Sequence, residues 1–200
     1  RLFAWGAYPN MLYYSEMSDH ENFVDYGSGL FPVEPGVGSA IVDVVSAFGY
    51  IYIFKNPMGI FQLDPLSDVP TLNTVSTNLG MASPRAAALA AHDIWFQSSV
   101  GSIHRLSAVN NFADVKDSNV GAAYFLDEIL KIEIDKSRLD RAVMIYDQER
   151  RRILLSNTSQ GGTTNDLIII IDINDPAKPR FHIQKNKGDY ETLWLQKDLT

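Results

Sequence analysis

The chain has 200 residues, of which 46% are hydrophobic, 20% charged and 11% aromatic; it has no cysteine and a formal charge of −7. It is too apolar and too aromatic to remain disordered, and long enough to bury a core. The missing cysteines exclude disulfide scaffolds, thiol catalysis, iron–sulfur clusters and Cys-type zinc sites, and the negative balance argues against a binder that works by neutralising phosphates.

In chain order, Leu2-Phe3-Ala4, a turn from Gly6 to Asn10, and Met11 to Ser15 read as strand, turn, strand. Asp19 and Asn22 read as turn-formers with Phe23 behind them, and Pro32 to Ser39 reads as a loop. The run IVDVVSAFG is β by composition. Next come two segments that match each other: GYIYIFKNPMGIFQLDP from Gly49 and HDIWFQSSVGSIHRLSA from His92. Ile51-Tyr52-Ile53 aligns with Ile94-Trp95-Phe96, Gly59 with Gly101, and Leu63 with Leu106, so each is read as a β-hairpin. RAAALAAH, from Arg85, has helical propensity but occupies the place of IVDVVSAFG in the preceding repeat, and is read as a strand.

Ser118 to Lys131 is the one helical candidate, a short insertion near residues 119–131, capped by Ser118 or Asn119, with Tyr124, Phe125, Ile129 and Ile132 on one face. Lys131 to Asp135 alternates, which suggests a hand-over from helix to strand. Val143 to Tyr146, a turn from Asp147 to Arg151, and Arg152 to Ser156 form a further hairpin. Ser156 to Asn165 reads as a long flexible hairpin tip, Leu167 to Ile171 as a strand, and Arg180 to Ile183 as another strand after Asn174-Asp175-Pro176. Hairpins recurring every ~40–50 residues suit propeller blades. The expected fold is all-β: one β-propeller-like domain over residues 1–200, an array of antiparallel hairpins. Both ends read as cuts through a longer chain, because Arg1 runs directly into Leu2-Phe3-Ala4-Trp5 and the last residues follow Leu193-Trp194-Leu195. Strands outside the segment would close the ring.

The search for chemistry yields little. There is no Gly-x-Ser-x-Gly elbow, no Walker loop and no Gly-x-Gly-x-x-Gly fingerprint; Gly27-Ser28-Gly29 and Gly36-Val37-Gly38-Ser39 are read as loop glycines. Asp19-His20-Glu21 lacks the helical spacing of a metal pair, and the four histidines lie far apart. Asp64, Asp68, Asp114, Asp117, Asp147, Asp172 and Asp175 are read as turn residues rather than paired glycosidase carboxylates. The aromatic residues Tyr13, Tyr14, Tyr50, Tyr52, Phe54, Trp95 and Phe96 are assigned to the layers between sheets. Arg150, Arg151 and Arg152, at a hairpin turn, are candidate contacts to a neighbouring subunit or to DNA in a channel. No catalytic, cofactor-binding or metal-binding residue is assigned.

Four elements in order carry a resemblance: RLFAWGAYPNMLYYSEMSDHENF, IYIFKNPMGIFQL, VSTNLGMASPRAAALAAHDIWFQSSVGSIHRLS, and VMIYDQERRRILLSN before LIIIID. This order resembles the β-propeller proteins of tailed-bacteriophage tails, and is similar to the nozzle or tail-tube proteins of short-tailed phages. The matching positions are Pro9-Asn10, Tyr14-Ser15, Asn22-Phe23, Phe54-Lys55, Gly59-Ile60, Gly80, Ser83-Pro84-Arg85 and Gly101. The resemblance implies a structural, non-enzymatic virion protein without a cofactor. Copies of it would ring the DNA channel below portal and adaptor, retain the genome, and pass the duplex during ejection, with no membrane partner. A net-acidic wall suits that role because it repels phosphates rather than trapping them. Two other functions stay open: a propeller-fold tail protein that binds or hydrolyses glycans, and a cellular propeller used as an interaction platform.

Overall fold

Alternating apolar and polar residues between Gly, Pro and Asx turns dictate short strands, and fifteen of them are present in the computed structural model, which describes residues 1–24, 28–34, 38–66, 71–108, 115–123 and 126–185. The class is all-β: 49% strand and 10% helix, in four antiparallel sheets of three or four strands. Among the described residues no sheet closes on itself. The chain divides into two compact units, Arg1–Met81 and Ala82–Thr200.

In the first unit, β1 (Phe3–Trp5), β2 (Met11–Tyr14) and β3 (Gly29–Pro32) form one sheet in chain order. The second sheet, also in chain order, holds β4 (Ala40–Ala47), β5 (Tyr50–Asn56), β6 (Ile60–Leu63) and β7 (Leu72–Ser76). Alternation on β5 splits its side chains between two faces. Ile51 and Ile53 join Leu12, Val33, Ile41, Phe61 and Leu63 in the core of this unit, with Phe3, Phe31, Val44 and Leu72 at its margin. Each such side chain contributes about 1.5–3 kcal/mol by leaving water. Tyr52 and Phe54, on the other face, are also fully buried, and Gln62 Nε2 donates to the Tyr52 hydroxyl at 3.1 Å.

In the second unit the third sheet is β8 (Ala87–Ala90), β9 (Asp93–Gln97), β10 (Ile103–Ala108) and β11 (Val115–Asn119). The fourth is β12 (Val143–Asp147), β13 (Arg152–Asn157), β14 (Leu167–Asp172) and β15 (Arg180–Lys185). Both are up-and-down meanders. The alanine-rich segment is the strand β8 despite its helical propensity, because Ala87 and Ala88 lie opposite Phe96 and Trp95 and small side chains fit beside these buried rings. The two sheets meet along their first strands. Arg85 and Val143 form a parallel bridge, Met144 N–H donates to Arg85 O at 2.7 Å, and the Ser83 hydroxyl donates to Ala142 O. Further out, Arg105 lies 5.6 Å over the Trp95 ring and its Nη1 donates to Pro176 O, in the β14–β15 turn, at 2.7 Å.

The insertion after β11 differs from the sequence reading. Ser118 belongs to β11 and Asn119 ends it; the helical part is α1 (Val120–Ala123) and α2 (Leu126–Glu133). The buried stripe is Leu126, Leu130 and Ile134, four residues apart, whereas Ile129 and Ile132 are exposed. Both stripes are apolar, so periodicity alone could not choose between them; Tyr124 and Phe125 lie outside the described residues. No strand follows α2: Asp135 caps a 3-10 helix, Lys136–Arg141, by accepting from the Ser137 N–H at 3.0 Å and the Ser137 hydroxyl at 2.7 Å. Gly29 is a strand residue rather than a loop glycine, and a Cβ there would sit 2.7 Å from the Tyr14 hydroxyl. Among the described residues no helix is long and apolar enough to cross a membrane.

Candidate functional site

One feature recurs in all four sheets. The residue just past the last pair joining the second strand to the third is polar and buried every time: Ser15, Lys55, Ser98 and Thr158 are each at most 1% exposed. Each ties its turn to the sheet. Ser15 Oγ accepts the Leu2 N–H at 2.8 Å, Ser98 Oγ accepts the Ser102 N–H at 3.1 Å, and Thr158 Oγ1 donates to Asn165 Oδ1 at 2.8 Å. Lys55 Nζ donates to the carbonyls of Val33 and Glu34, both at 3.0 Å, and lies 5.9 Å from the Phe61 ring centre. Burial pushes its ammonium pKa below the usual value, with the Glu34 charge opposing the shift. A charge held by main-chain carbonyls is pinned to one geometry, so this lysine acts as a structural clamp.

The triple arginine is placed by the β12–β13 turn. Arg150 is bound to Asp147 twice, through its backbone N–H at 3.1 Å and its guanidinium at 3.3 Å, while the guanidinium stays largely exposed. Arg151 has φ +49, and its carbonyl accepts the Ile173 N–H at 2.9 Å. Arg152 opens β13 in a row of alternating charge across the fourth sheet: Asp147, Arg152, Asp172, Arg180. Asp172 Oδ1 accepts the Asn174 N–H and its carboxyl pKa lies below the ordinary value, first because of that bond and also through Arg152 and Arg180. The structure therefore brings Arg152 to the sheet face, while Arg150 and Arg151 project from the turn.

A polar hub joins the insertion to the third sheet. Asp127 Oδ2 accepts from the Ser102 hydroxyl at 3.0 Å and from Asn119 Nδ2 at 3.3 Å, and a Cβ on Gly121 would collide with its other oxygen. A cavity of about 160 Å³ opens beside it, lined by Val100, Ser102, Asp127, Leu130, Lys131 and Ile134 among others. His104, 6% exposed, is stacked 5.4 Å from Phe96 with Nδ1 3.1 Å from Asp117 Oδ1. Sequence reasoning placed Asp117 in a turn; it is a strand residue of β11 paired with this histidine. The same reasoning missed the Asp127 hub, whose only signal is an Asn and a Gly eight and six residues ahead of an Asp.

Most other carboxylates behave as expected of turn residues: Asp19, Asp64 and Asp175 each accept the backbone N–H two residues on. Asp68 and Asp114 lie outside the described residues. Tyr52, Phe54, Trp95 and Phe96 are fully buried, as core rings, and Tyr13, Tyr14 and Tyr50 partly so. Asp43 is the outlier: half-buried within β4, it has its pKa raised to about 6, by desolvation against the Val44 N–H that bonds it. The loop after β13 is laced down rather than loose. Ser159 N–H and hydroxyl both donate to Asp166, Asn165 Nδ2 donates to Arg141 O, and Arg138 and Arg141 both donate to Thr163 O at 2.9 and 3.0 Å. Among the described residues no three His, Asp or Glu side chains gather as a metal site. No protein-family model matches the chain, and no curated protein sequence matches it.

Proposed function

We propose that this chain is a structural segment of a tailed-bacteriophage tail: a β-propeller-like run of blades that assembles with its own copies into a ring around the DNA channel. The ring retains the genome and passes the duplex during ejection, next to portal, adaptor and other tail proteins. The observation that carries the reading is the recurrence of one sheet plan. Three consecutive four-stranded meanders follow a three-stranded one, and all four bury a polar residue at the same place. In the second unit the first strands of successive meanders run parallel side by side, as strands around a common axis do. The ordered motifs of the sequence supply the phage assignment, and Arg150, Arg151 and Arg152 take the role of contacts to a neighbouring copy or to the channel.

The reading assigns the chain no catalysis. The strongest polar clusters, at Asp127 and at His104, are spent on joining elements. Mass spectrometry of purified virions together with electron microscopy of the native particle tests the proposal. The chain is expected in the tail, in a symmetric ring. Finding it free, monomeric and absent from particles would refute it.

A further inference from the structure

We propose that the outer face of the fourth sheet docks the first sheet of a second copy of this chain, head to tail. The inference deepens the ring reading by naming the two faces that meet.

The first argument is the distribution of charge. Arg1–Met81 contains two basic residues, Arg1 and Lys55, against eight acidic ones, whereas Ala82–Thr200 contains fifteen basic and sixteen acidic. Lys55 is buried and already bound to two carbonyls. The exposed loop after β2 carries Glu16, Asp19 and Glu21. Their hydrogen bonds go to Ser18, Asn22 and the Glu21 backbone, and among the described residues no cation pairs with them. A surface so one-sided attracts a basic counter-surface.

The second argument is apolar exposure. Six of the twelve exposed large hydrophobics lie within the first 30 residues: Leu2, Trp5, Tyr8, Met17, Val24 and Leu30. Half of the total in so short a stretch is a concentration, not the scatter that ordinary surfaces show. Val24 is 92% exposed and Tyr8 63%. An apolar patch flanked by carboxylates needs an apolar patch flanked by cations.

The fourth sheet offers one. Its inner face carries Ile153, Leu155, Ile169 and Ile171, each 0% exposed. On the opposite face the cross-strand row Ile145, Leu154, Ile170, His182 is at best half-buried. Two residues along lies the row with Arg152 and Arg180, and the turn beyond it presents Arg150 and Arg151. A cavity of about 240 Å³ opens here, lined by Arg152, Ile170, Asp172, Arg180, Phe181 and His182. Because the two faces are different surfaces of one chain, the contact is heterologous. It closes into a ring or propagates as a helix according to the rotation between copies.

Sedimentation of the purified chain tests this, with two charge-reversed variants whose far-UV spectra and melting points match the parent: Arg151→Glu/Arg180→Glu on the fourth sheet and Glu16→Lys/Glu21→Lys on the loop. The parent is expected to self-associate, about tenfold more weakly at ~500 mM than at ~50 mM salt. Each variant alone is expected to lose about tenfold in affinity, and an equimolar mixture of the two to recover it, since the reversed faces complement each other. A monomeric parent, salt-insensitive association, a variant that associates like the parent, or a mixture that does not recover overturns the inference. Particle content is a separate readout. Association through these faces by a chain absent from virions ends the tail reading alone, and a virion-borne chain whose variants still assemble ends this inference alone.

Discussion

Gly80 is the position where one methyl group should do the most damage. The segment Leu79–Met81 lies against the β5–β6 turn, where Gly59 N–H donates to Leu79 O at 2.8 Å and Met81 N–H to Lys55 O at 2.9 Å. Between these two bonds, a Cβ on Gly80 would stand 2.6 Å from the carbonyl carbon of Pro57 and would meet the oxygens of Pro57 and Lys55. All three are backbone atoms, so no side chain can swing away. The strands must separate by about 1 Å in an interior that is close-packed. Overpacking of this kind costs about 1–3 kcal/mol, and weakening two backbone hydrogen bonds adds about 1 kcal/mol each. Gly80→Ala is therefore expected to destabilise by about 3–5 kcal/mol, a fall in Tm of roughly 6–15 °C for a chain of this size. Urea and thermal melts followed by far-UV circular dichroism read it directly. Gly6→Ala is the control: its φ is +107 but nothing lies within 4 Å of the added carbon, so only backbone strain of about 1–2 kcal/mol applies. If Gly80→Ala stays within about 0.5 kcal/mol of the parent, or costs no more than Gly6→Ala, the close-approach reasoning is wrong.

Asp43→Asn should flatten part of the pH dependence. The Asp43 pKa is raised from 3.8 to about 6, so the folded state holds this proton more tightly, and the associated stability, full below pH 3.8, is lost as pH rises through about 6. The variant is expected to gain about 1 kcal/mol at pH 7.5, the group being only part-buried, and nothing at pH 4, as read from urea midpoints. Lys55→Met keeps the chain length but strands the carbonyls of Val33 and Glu34, and is expected to lower stability by about 2–3 kcal/mol in the same melts; a neutral result would deny the clamp. Asp127→Ala unties Ser102 and Asn119, and should selectively speed amide exchange in β10 and α2 while costing about 1–2 kcal/mol. Uniform exchange across the unit would contradict the hub.

Much of the architecture was legible because its determinants are local. Ile51-Tyr52-Ile53 and Ile94-Trp95-Phe96 mark strands by branching and aromaticity, and Gly59 and Gly101, at φ +117 and +94, mark turns that other residues enter only with strain. The strands β7 and β11 left no comparable trace. LNTVS and VKDSN are polar edge strands, defined by pairing with β6 and β10 rather than by their own composition. The helix was legible as an element but not in its orientation. Leu126-Leu130-Ile134 and Ile129-Ile132 are adjacent apolar stripes, and only the packing partner selects one.

The recurring polar site shows why the repeat looks weak in sequence and strong in structure. Ser15, Lys55, Ser98 and Thr158 share a position, depth and task but no chemistry. Any side chain that can satisfy nearby backbone or amide groups without reaching water will serve. Selection on such a position acts on hydrogen-bonding capacity, so aligned letters diverge while the sheet plan persists. Arg151 shows the converse. It was legible as a charge in a turn, yet nothing in the letters distinguishes it from its neighbours. Arg150 is committed to Asp147 and Arg152 to a cross-strand row, whereas Arg151 makes no ion pair among the described residues. Of the three, it is the one whose charge is available to a second molecule, and that difference arises from the turn geometry at φ +49 rather than from residue type.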